Sequence, residues 1–277
     1  MSQAQMDIKS GLAAQRAKRK TQATRDNALR IGAIVAFLLV WYLIAIRTNP
    51  ILLPTPLAVA ESLWQMVVSG QIFGAFLTSF EDLFGGLILA GVLGIGIGIL
   101  MGRYPTIEKI LDPFVAFANA TPMVAMVPIV IIWFGIGYPA RVFFVLILAV
   151  WSILVNTLAG IKNVNRGMME VGLSFGLSEA QIVRSISMPA AIPYILAGVR
   201  VGLGKAIVGM IIGEMDIALA GLGGLAATYG DAFRTNYLLA VVFSATVFGV
   251  IFVALLNLVQ TKWYPWIAGV AGRQVSE

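Results

Sequence analysis

The sequence predicts an all-α membrane protein with six transmembrane helices and both termini in the cytoplasm. Of its 277 residues, 59% are hydrophobic and 12% are charged, and the mean hydropathy is +0.91. Soluble domains are only about half apolar, so this composition indicates a chain that lies in a bilayer. Six separate apolar runs are long enough to cross it, since a helix needs about 20 residues to span a hydrocarbon core of about 30 Å.

The chain has no cysteine and no histidine, which limits its chemistry. Disulfides, iron–sulfur clusters and thiol nucleophiles are excluded, as are the commonest metal ligand and the usual proton carrier near neutral pH. We therefore expect no metal site and no cofactor in this chain, and an intramembrane enzyme is disfavoured. The net charge of +6 rests largely on a basic stretch before the first apolar run, which membrane orientation explains better than nucleic-acid binding.

Residues 1–30 form this basic segment, and we expect it to lie in the cytoplasm. A signal peptide is disfavoured because the basic stretch is too long and Arg47-Thr-Asn-Pro50 lacks a small-residue cleavage pattern. Residues 8–29 could form a helix on the inner membrane surface, with a basic face towards anionic headgroups. A disordered tail is the alternative.

The transmembrane domain extends over residues 31–260, followed by a cytoplasmic tail over 261–277. Its six predicted spans lie near residues 31–47, 77–101, 113–134, 140–160, 194–216 and 237–258. Between the first two spans, Thr55 can cap a short helix that continues to Val68, with Pro56 in its first turn. We expect this short helix to lie outside the membrane.

The second span carries a stripe of small residues at intervals of four. Small side chains on one helix face allow another helix to approach closely, so the stripe predicts tight packing within the bundle. Its members are Gly86, Ala90, Gly94, Gly98 and Gly102.

Lysine and arginine counts support the topology, because cytoplasmic segments carry an excess of these residues. With the amino terminus inside, the inner segments hold fourteen of them and the outer segments three. The inner set comprises seven residues before Ile31, then Arg103, Lys109, Lys162, Arg166, Arg184, Lys262 and Arg273, and the outer set comprises Arg47, Arg141 and Arg234.

The longest inner connection covers residues 161–193, and its polar residues are too interspersed for a seventh span. It predicts a helix-turn-helix on the cytoplasmic face, with Gly176 at the turn. Pro189 should stop the second helix before the chain re-enters the membrane. Such a rigid protrusion is suited to contact a cytoplasmic partner.

This connection resembles the signature of the permeases of binding-protein-dependent ABC importers of the type I fold. That signature is Glu-Ala-Ala, three residues, Gly, nine residues, Ile, one residue, Leu-Pro. Here Glu170-Val171-Gly172, Gly176 and Ile186-Ser-Met-Pro189 follow the same spacing. Val171 and Gly172 replace the two alanines, and Met188 replaces the leucine.

Other segments are similar to the taurine, aliphatic sulfonate and nitrate branch of that family. Asp82 is a departure, because the branch often has a basic residue after the serine that corresponds to Ser79. The similar segments are Leu53-Pro-Thr-Pro56, Asp112-Pro113, Trp133-Phe-Gly-Ile-Gly137, Gly198-Val-Arg200, Glu214 and Gly221-Leu-Gly223.

The resemblance implies a permease subunit in a bacterial plasma membrane, where a coupling helix near Val171–Gln181 docks on a separate ATPase. Two ATPase copies that bind ATP and Mg²⁺, an external solute-binding protein and a second permease, taken as a copy of this chain, are the implied partners. A phosphate-binding loop is missing here, because Val199 and Ala206 replace two required residues around Gly204-Lys205. The implied coupling residues are Glu170, Val171, Gly172, Gly176, Leu177, Ser178, Ile186 and Pro189.

Polar residues within the spans are candidates for the translocation pathway, because they are costly in lipid. Lys205 could attract an anionic substrate, but it could also snorkel or pair with Glu214, Asp216, Glu81 or Asp82. The uncharged candidates could instead make interhelical hydrogen bonds. The predicted pathway residues are Lys205, Glu214, Asn119, Thr121 and Asn156.

These features favour an ATP-driven importer of a small anion such as a sulfonate, taurine or nitrate, which moves its solute by alternating access. An ion-coupled secondary transporter is the alternative, with Glu81, Asp82, Glu214 and Asp216 as candidate ion carriers. That alternative leaves the connection from Glu170 to Pro189 without a role.

Overall fold

The computed structural model of the protein describes residues 25, 26 and 28–263, and within them it is helical, without strands. The predicted all-α fold is confirmed. The N-terminal segment and C-terminal tail lie largely outside the described residues. The α-helices are α1 (Ala28–Ala45), α2 (Pro56–Val68), α3 (Gln71–Arg103), α4 (Pro105–Ala120), α5 (Val127–Phe134), α6 (Tyr138–Lys162), α7 (Arg166–Ser174), α8 (Glu179–Ile182), α9 (Met188–Gly213), α10 (Gly221–Asp231) and α11 (Thr235–Trp263).

Five helical stretches in the described residues are long and apolar enough to cross a membrane. Four of them are α1, α3, α6 and α11, and the fifth is the continuous stretch Glu179–Ala218, which contains α8 and α9. A bent pair supplies the sixth span when its two parts are counted together, so the predicted number is reached.

The third span is bent, and the single helix predicted over residues 113–134 is wrong. α4 ends at Ala120, a 3₁₀ turn covers Met123–Met126, and the two halves meet at an angle of 96°. Pro122 causes the break, because a proline ring disfavours helical geometry at the preceding residue. Thr121 accordingly has an extended ψ of 131°.

The core is built on close contact between α3 and α6. A Cβ added at Gly86 would lie 2.4 Å from Val145 Cβ, and one added at Gly98 would lie 2.7 Å from Thr157 Cβ. The close approach predicted from the small-residue stripe is therefore confirmed. α9 packs on α6 in the same way, since a Cβ at Gly198 would lie 2.7 Å from Asn156 Cβ.

The short helix α2 begins as predicted. Thr55 Oγ1 accepts a hydrogen bond from the Ala58 N–H at 3.3 Å, and Pro56 occupies the first turn. On its buried side, Ser62 Oγ accepts a hydrogen bond of 2.8 Å from Asn236 Nδ2 of α11. The helix is thereby held across the start of α11.

Replacing Gly98 with Leu should destabilise the protein by about 1–3 kcal/mol, because the added side chain overpacks the α3–α6 contact. Gly96→Leu is the matched control, since a Cβ at Gly96 meets nothing within 4 Å. Both changes replace a helical glycine, so helix propensity cancels between them. The melting temperature of the purified protein in detergent should fall by several degrees for Gly98→Leu only. Equal melting temperatures would contradict the role assigned to the stripe.

Candidate functional site

The connection between α6 and α9 is shaped by local capping. Asn165 Oδ1 accepts a hydrogen bond from the Gly167 N–H at 2.8 Å and so caps α7. Gly176 then has a φ of +73°, and the Leu177 N–H reaches back to the Gly172 carbonyl at 3.1 Å. These are the features of a Schellman motif, which needs a residue in the left-handed region after the helix. The turn predicted at Gly176 is present.

The second half of the connection runs into the membrane helix without a stop. Ser178 and Gln181 form a capping box at the start of α8, and a π-helix over Val183–Ser187 then leads directly into α9. The prediction that Pro189 stops the second helix is therefore wrong. Pro189 lies in the first turn of α9, where its missing N–H is tolerated, and the wide π turn precedes it.

The coupling helix implied near Val171–Gln181 is likewise divided between α7 and α8. The left-handed residue Gly176 is the physical reason, because a helix cannot continue through that backbone conformation.

One face of α7 and of the residue that ends it carries exposed apolar side chains, which we call the knob surface: Met168, Val171 and the C-cap residue Phe175. Phe175 is 82% exposed, the largest fraction among the exposed large hydrophobic residues described. The three residues follow a spacing of three and four, which places them on one side of a helix. Contiguous exposed apolar side chains on a surface that meets water are typical of interaction sites.

An apolar cleft of about 750 Å³ lies beside the knob surface. Gly172 forms its floor, where an added Cβ would lie 2.7 Å from Ile186 Cδ1. A larger residue at position 172 would displace the end of the Ile186 side chain. The cleft is lined by Asn165, Gly167, Met168, Val171, Gly172, Phe175, Leu177 and Ile186.

The predicted coupling residues divide into groups in the structure. Val171, Gly172, Leu177 and Ile186 meet in the cleft, whereas Gly176 and Ser178 form the turn and the cap beside it. Glu170 is exposed on α7, and Pro189 lies beyond the cleft in α9. Sequence analysis missed Met168 and Phe175, although their helical spacing with Val171 is a signal that could have identified them.

Ion pairs join this end of the molecule to the rest of the bundle. Arg103 at the end of α3 contacts Glu179 Oε1 of α8 at 3.3 Å. Lys162 at the end of α6 pairs with Glu108 of α4. The connection is thus attached to the α3 and α4 corner as well as to its own flanking helices.

Buried charged residues lie near the opposite ends of α3, α6 and α9. Arg141 Nε donates a hydrogen bond of 2.6 Å to Asp82 Oδ2, and Asp82 is fully buried. Asp82, the residue that departs from the resembling branch, therefore has a structural partner. A buried ion pair is stable only when both charges are present.

Glu214 makes a second buried contact at this end, with α10. Its Oε2 accepts a hydrogen bond of 2.7 Å from the Gly223 N–H, and Ser79 Oγ accepts one of 3.0 Å from the Leu222 N–H. Gly221 packs so closely that an added Cβ would lie 2.2 Å from Glu214 Oε1. Glu214 and Ser79 thus hold the first turn of α10, whose free N–H groups favour a carboxylate.

Lys205 is exposed on α9, and its Nζ has no hydrogen bond or ion pair among the described residues. Of the partners considered from the sequence, Asp82 pairs with Arg141 and Glu214 with the α10 backbone. Lys205 and Glu214 are nine residues apart, which places them on opposite faces of a helix.

The three uncharged pathway candidates donate side-chain hydrogen bonds to backbone carbonyls of the preceding helical turn. Asn119 Nδ2 donates to the Val115 carbonyl at 2.9 Å, Thr121 Oγ1 to the Phe117 carbonyl at 2.9 Å and Asn156 Nδ2 to the Ser152 carbonyl at 2.8 Å. Such bonds to the preceding turn satisfy polar groups in an apolar setting. The five predicted pathway residues are not gathered into one cluster within this chain, and their role stays a prediction.

Replacing Asp82 with Leu should destabilise the protein by about 3–5 kcal/mol, because it leaves Arg141 buried without a counter-charge. The double variant Asp82→Leu/Arg141→Leu should recover most of this loss. Glu81→Leu, which changes the neighbouring exposed carboxylate, should shift the unfolding free energy by less than about 0.5 kcal/mol. Denaturant titration in mixed micelles measures the parent, these three variants and the single variant Arg141→Leu. A double variant as unstable as the sum of Asp82→Leu and Arg141→Leu would refute the pairing.

The spanning helices and the exposed connection between α6 and α9 define a multi-pass membrane protein. More particularly, the chain belongs to the binding-protein-dependent transport system inner membrane component family, whose model matches residues 94–268. It is 29% identical to the taurine transport system permease protein of Escherichia coli, over 94% of this chain and 97% of that protein. It is 31% identical to a bicarbonate transport system permease protein of Synechocystis sp., over 80% and 82% of the two chains.

A solved structure of the MetNI methionine ABC transporter has the same fold. Its TM-score is 0.57 at 21% identity, and the match covers 75% of this chain and 98% of that chain. The protein is therefore the permease subunit of an ABC importer of the type I fold. ATP hydrolysis belongs to a separate subunit in this family, and the ion-coupled secondary transporter is not supported.

Proposed function

We propose that this permease carries a small anion across a bacterial plasma membrane and that its knob surface docks on the ATPase. The observation that carries the docking proposal is the exposed Phe175, which stands beside an apolar cleft on a rigidly capped turn. Aromatic anchors of this kind dominate the energy of protein interfaces. The ion pair between Arg103 of α3 and Glu179 of α8 links the docking segment mechanically to α3.

The complex contains two copies of this chain and two ATPase subunits, which bind ATP and Mg²⁺. An external solute-binding protein delivers the substrate. Movement of the ATPases pulls on α7 and α8 and switches the paired permeases between inward-open and outward-open states. Free energy for transport comes from ATP, through differential binding to the two states. The excess of lysine and arginine at the end that carries the connection supports its placement in the cytoplasm.

Replacing Phe175 with Ala should weaken ATPase binding by at least tenfold, because truncation of an anchor residue costs about 2 kcal/mol or more. Folding should be unchanged, since the ring is exposed. Phe73→Ala is the matched control, because Phe73 is also an exposed phenylalanine. It lies at the start of α3, whereas the docking segment contacts Arg103 at the end of α3. Titration of the purified ATPase against the permease in nanodiscs measures the affinity. An unchanged affinity in Phe175→Ala would reject the docking proposal.

The substrate proposal rests on Lys205. A lysine that faces acyl chains is costly, so the exposed face of α9 around Lys205 borders a wet pathway between the two permeases. Val201, Gly204 and Val208 share this face and are exposed beside it. One cation on an apolar wall attracts an anion, and the solutes named for the two relatives, taurine and bicarbonate, both carry an anionic group. Sulfonates and nitrate belong to the same chemical class.

Replacing Lys205 with Gln should raise the KM for anion uptake about tenfold or more, because a charge-assisted contact is worth about 1.5–3 kcal/mol. Lys205→Arg keeps the charge and should stay within about threefold of the parent KM. Uptake of taurine, methanesulfonate, nitrate and bicarbonate into proteoliposomes that hold the full complex provides the measurement. Transport of none of these anions, or an unchanged KM in Lys205→Gln, would count against the proposal.

A further inference from the structure

We propose that α2 is an interfacial helix whose outer edge binds phospholipid at the boundary between headgroups and acyl chains of the outer leaflet. This lipid-binding edge consists of Leu57, Trp64 and Val68. Trp64 is 68% exposed although it belongs to a folded helix. The edge therefore presents apolar area that the described part of the chain leaves uncovered.

The two faces of α2 are sharply different. Val59, Ser62 and Met66 are buried against the bundle, and Leu57, Trp64 and Val68 lie on the opposite side. At about 100° per residue, the three exposed residues fall within about 40° of one another around the helix axis. This arrangement is a narrow apolar strip and not a scatter of single exposed residues.

The exposed side of α2 is itself divided into an apolar and a polar part. Glu61 and Gln65 are exposed and lie about 40° and 80° from Leu57 around the axis, whereas Trp64 lies about 20° away in the other direction. A helix with one apolar edge and one polar edge lies in the plane of a membrane interface, with the polar edge towards water. Tryptophan is enriched at that level, because its ring is largely apolar and its N–H is polar.

The end of the bundle beneath α2 has the composition of a headgroup zone. Tyr229 and Tyr237 stack with ring centroids 4.9 Å apart, and the Arg234 guanidinium lies 5.3 Å from the Tyr237 ring centre. Both tyrosine hydroxyls bond glutamines, Gln71 and Gln65 respectively. Tyrosine is enriched at the membrane–water boundary, because its ring is apolar and its hydroxyl is polar.

The lipid-binding edge continues onto a membrane-facing surface. Gly70, with a φ of +76°, turns the chain from α2 into α3, whose first exposed apolar residues are Phe73 and Leu77. Both residues lie near the start of a helix that is long and apolar enough to span a membrane, so the apolar edge of α2 is continuous with exposed apolar surface of a spanning helix. Phospholipid is therefore the partner of the edge, in preference to the external binding protein.

The absence of cysteine from the chain allows a direct test. Single variants Trp64→Cys, Val68→Cys and Glu61→Cys each accept one nitroxide label. The labelled chain is assembled with its ATPase in vesicles of phosphatidylethanolamine and phosphatidylglycerol, and electron paramagnetic resonance measures collisions with oxygen and with a water-soluble nickel chelate. The ratio of oxygen to nickel accessibility should be at least threefold higher at position 64 than at position 61, which lies on the polar edge about 60° away around the helix axis. Position 68 lies between these two around the axis and should give an intermediate ratio.

Two results would overturn the proposal. Equal ratios at positions 64 and 61 would place the edge in water. Protection of position 64 from both reagents, present from the start or after addition of purified binding protein, would identify a protein-docking face. Basal ATPase activity of each labelled complex verifies folding, and Leu57→Cys replaces Trp64→Cys if that variant does not assemble.

Discussion

The contact between α3 and α6 is the constraint on which the rest of the structure depends. Gly86, Gly94 and Gly98 bring the two helix backbones so close that an added methyl group at each would overlap α6. Because apolar burial provides no driving force between helices inside a lipid bilayer, such close packing is a main source of their association. α9 packs on a neighbouring face of α6 through its own small residues, so that Gly94 of α3 and Gly202 of α9 both meet Ile153. The packing of these three helices sets the positions of both ends of the bundle.

At one end of the bundle, α6 and α9 are connected by the protruding helices α7 and α8. α6 leads into α7, and α8 leads through the π-helix into α9, so the knob surface is attached to two helices that pack closely on each other. The Schellman turn at Gly176 and the capping box at Ser178 stiffen the element locally. In the proposed docking role, a force applied at Phe175 would reach the spanning helices, because most of the chain between them is helical.

At the other end, buried charges fix the ends of the same helices. Asp82 and Arg141 join α3 to α6, while Glu214 and Ser79 join α9 and α3 to the first turn of α10. Buried polar groups are costly when a partner is removed, so these contacts favour one arrangement of the helix ends. The α2 edge and the tyrosine pair lie at this end, which is consistent with a boundary between bilayer and water.

Features that depend on neighbouring residues could be predicted from the sequence: the apolar spans, the cap at Thr55, the turn at Gly176 and the stripe from Gly86 to Gly102. Periodicity, capping and chain reversal depend on a few consecutive residues, so they can be predicted before the fold is known. Only the tertiary structure decided that Asp82 meets Arg141, that Glu214 caps α10 and that Lys205 lies apart from both. These pairings join residues distant in sequence, and they depend on the rotation and register that packing imposes on each helix. The bend at Thr121 and the continuous helix through Pro189 could be predicted only in part. A proline in the sequence indicates that a helix can be interrupted nearby, but the surrounding structure decides whether it breaks or continues.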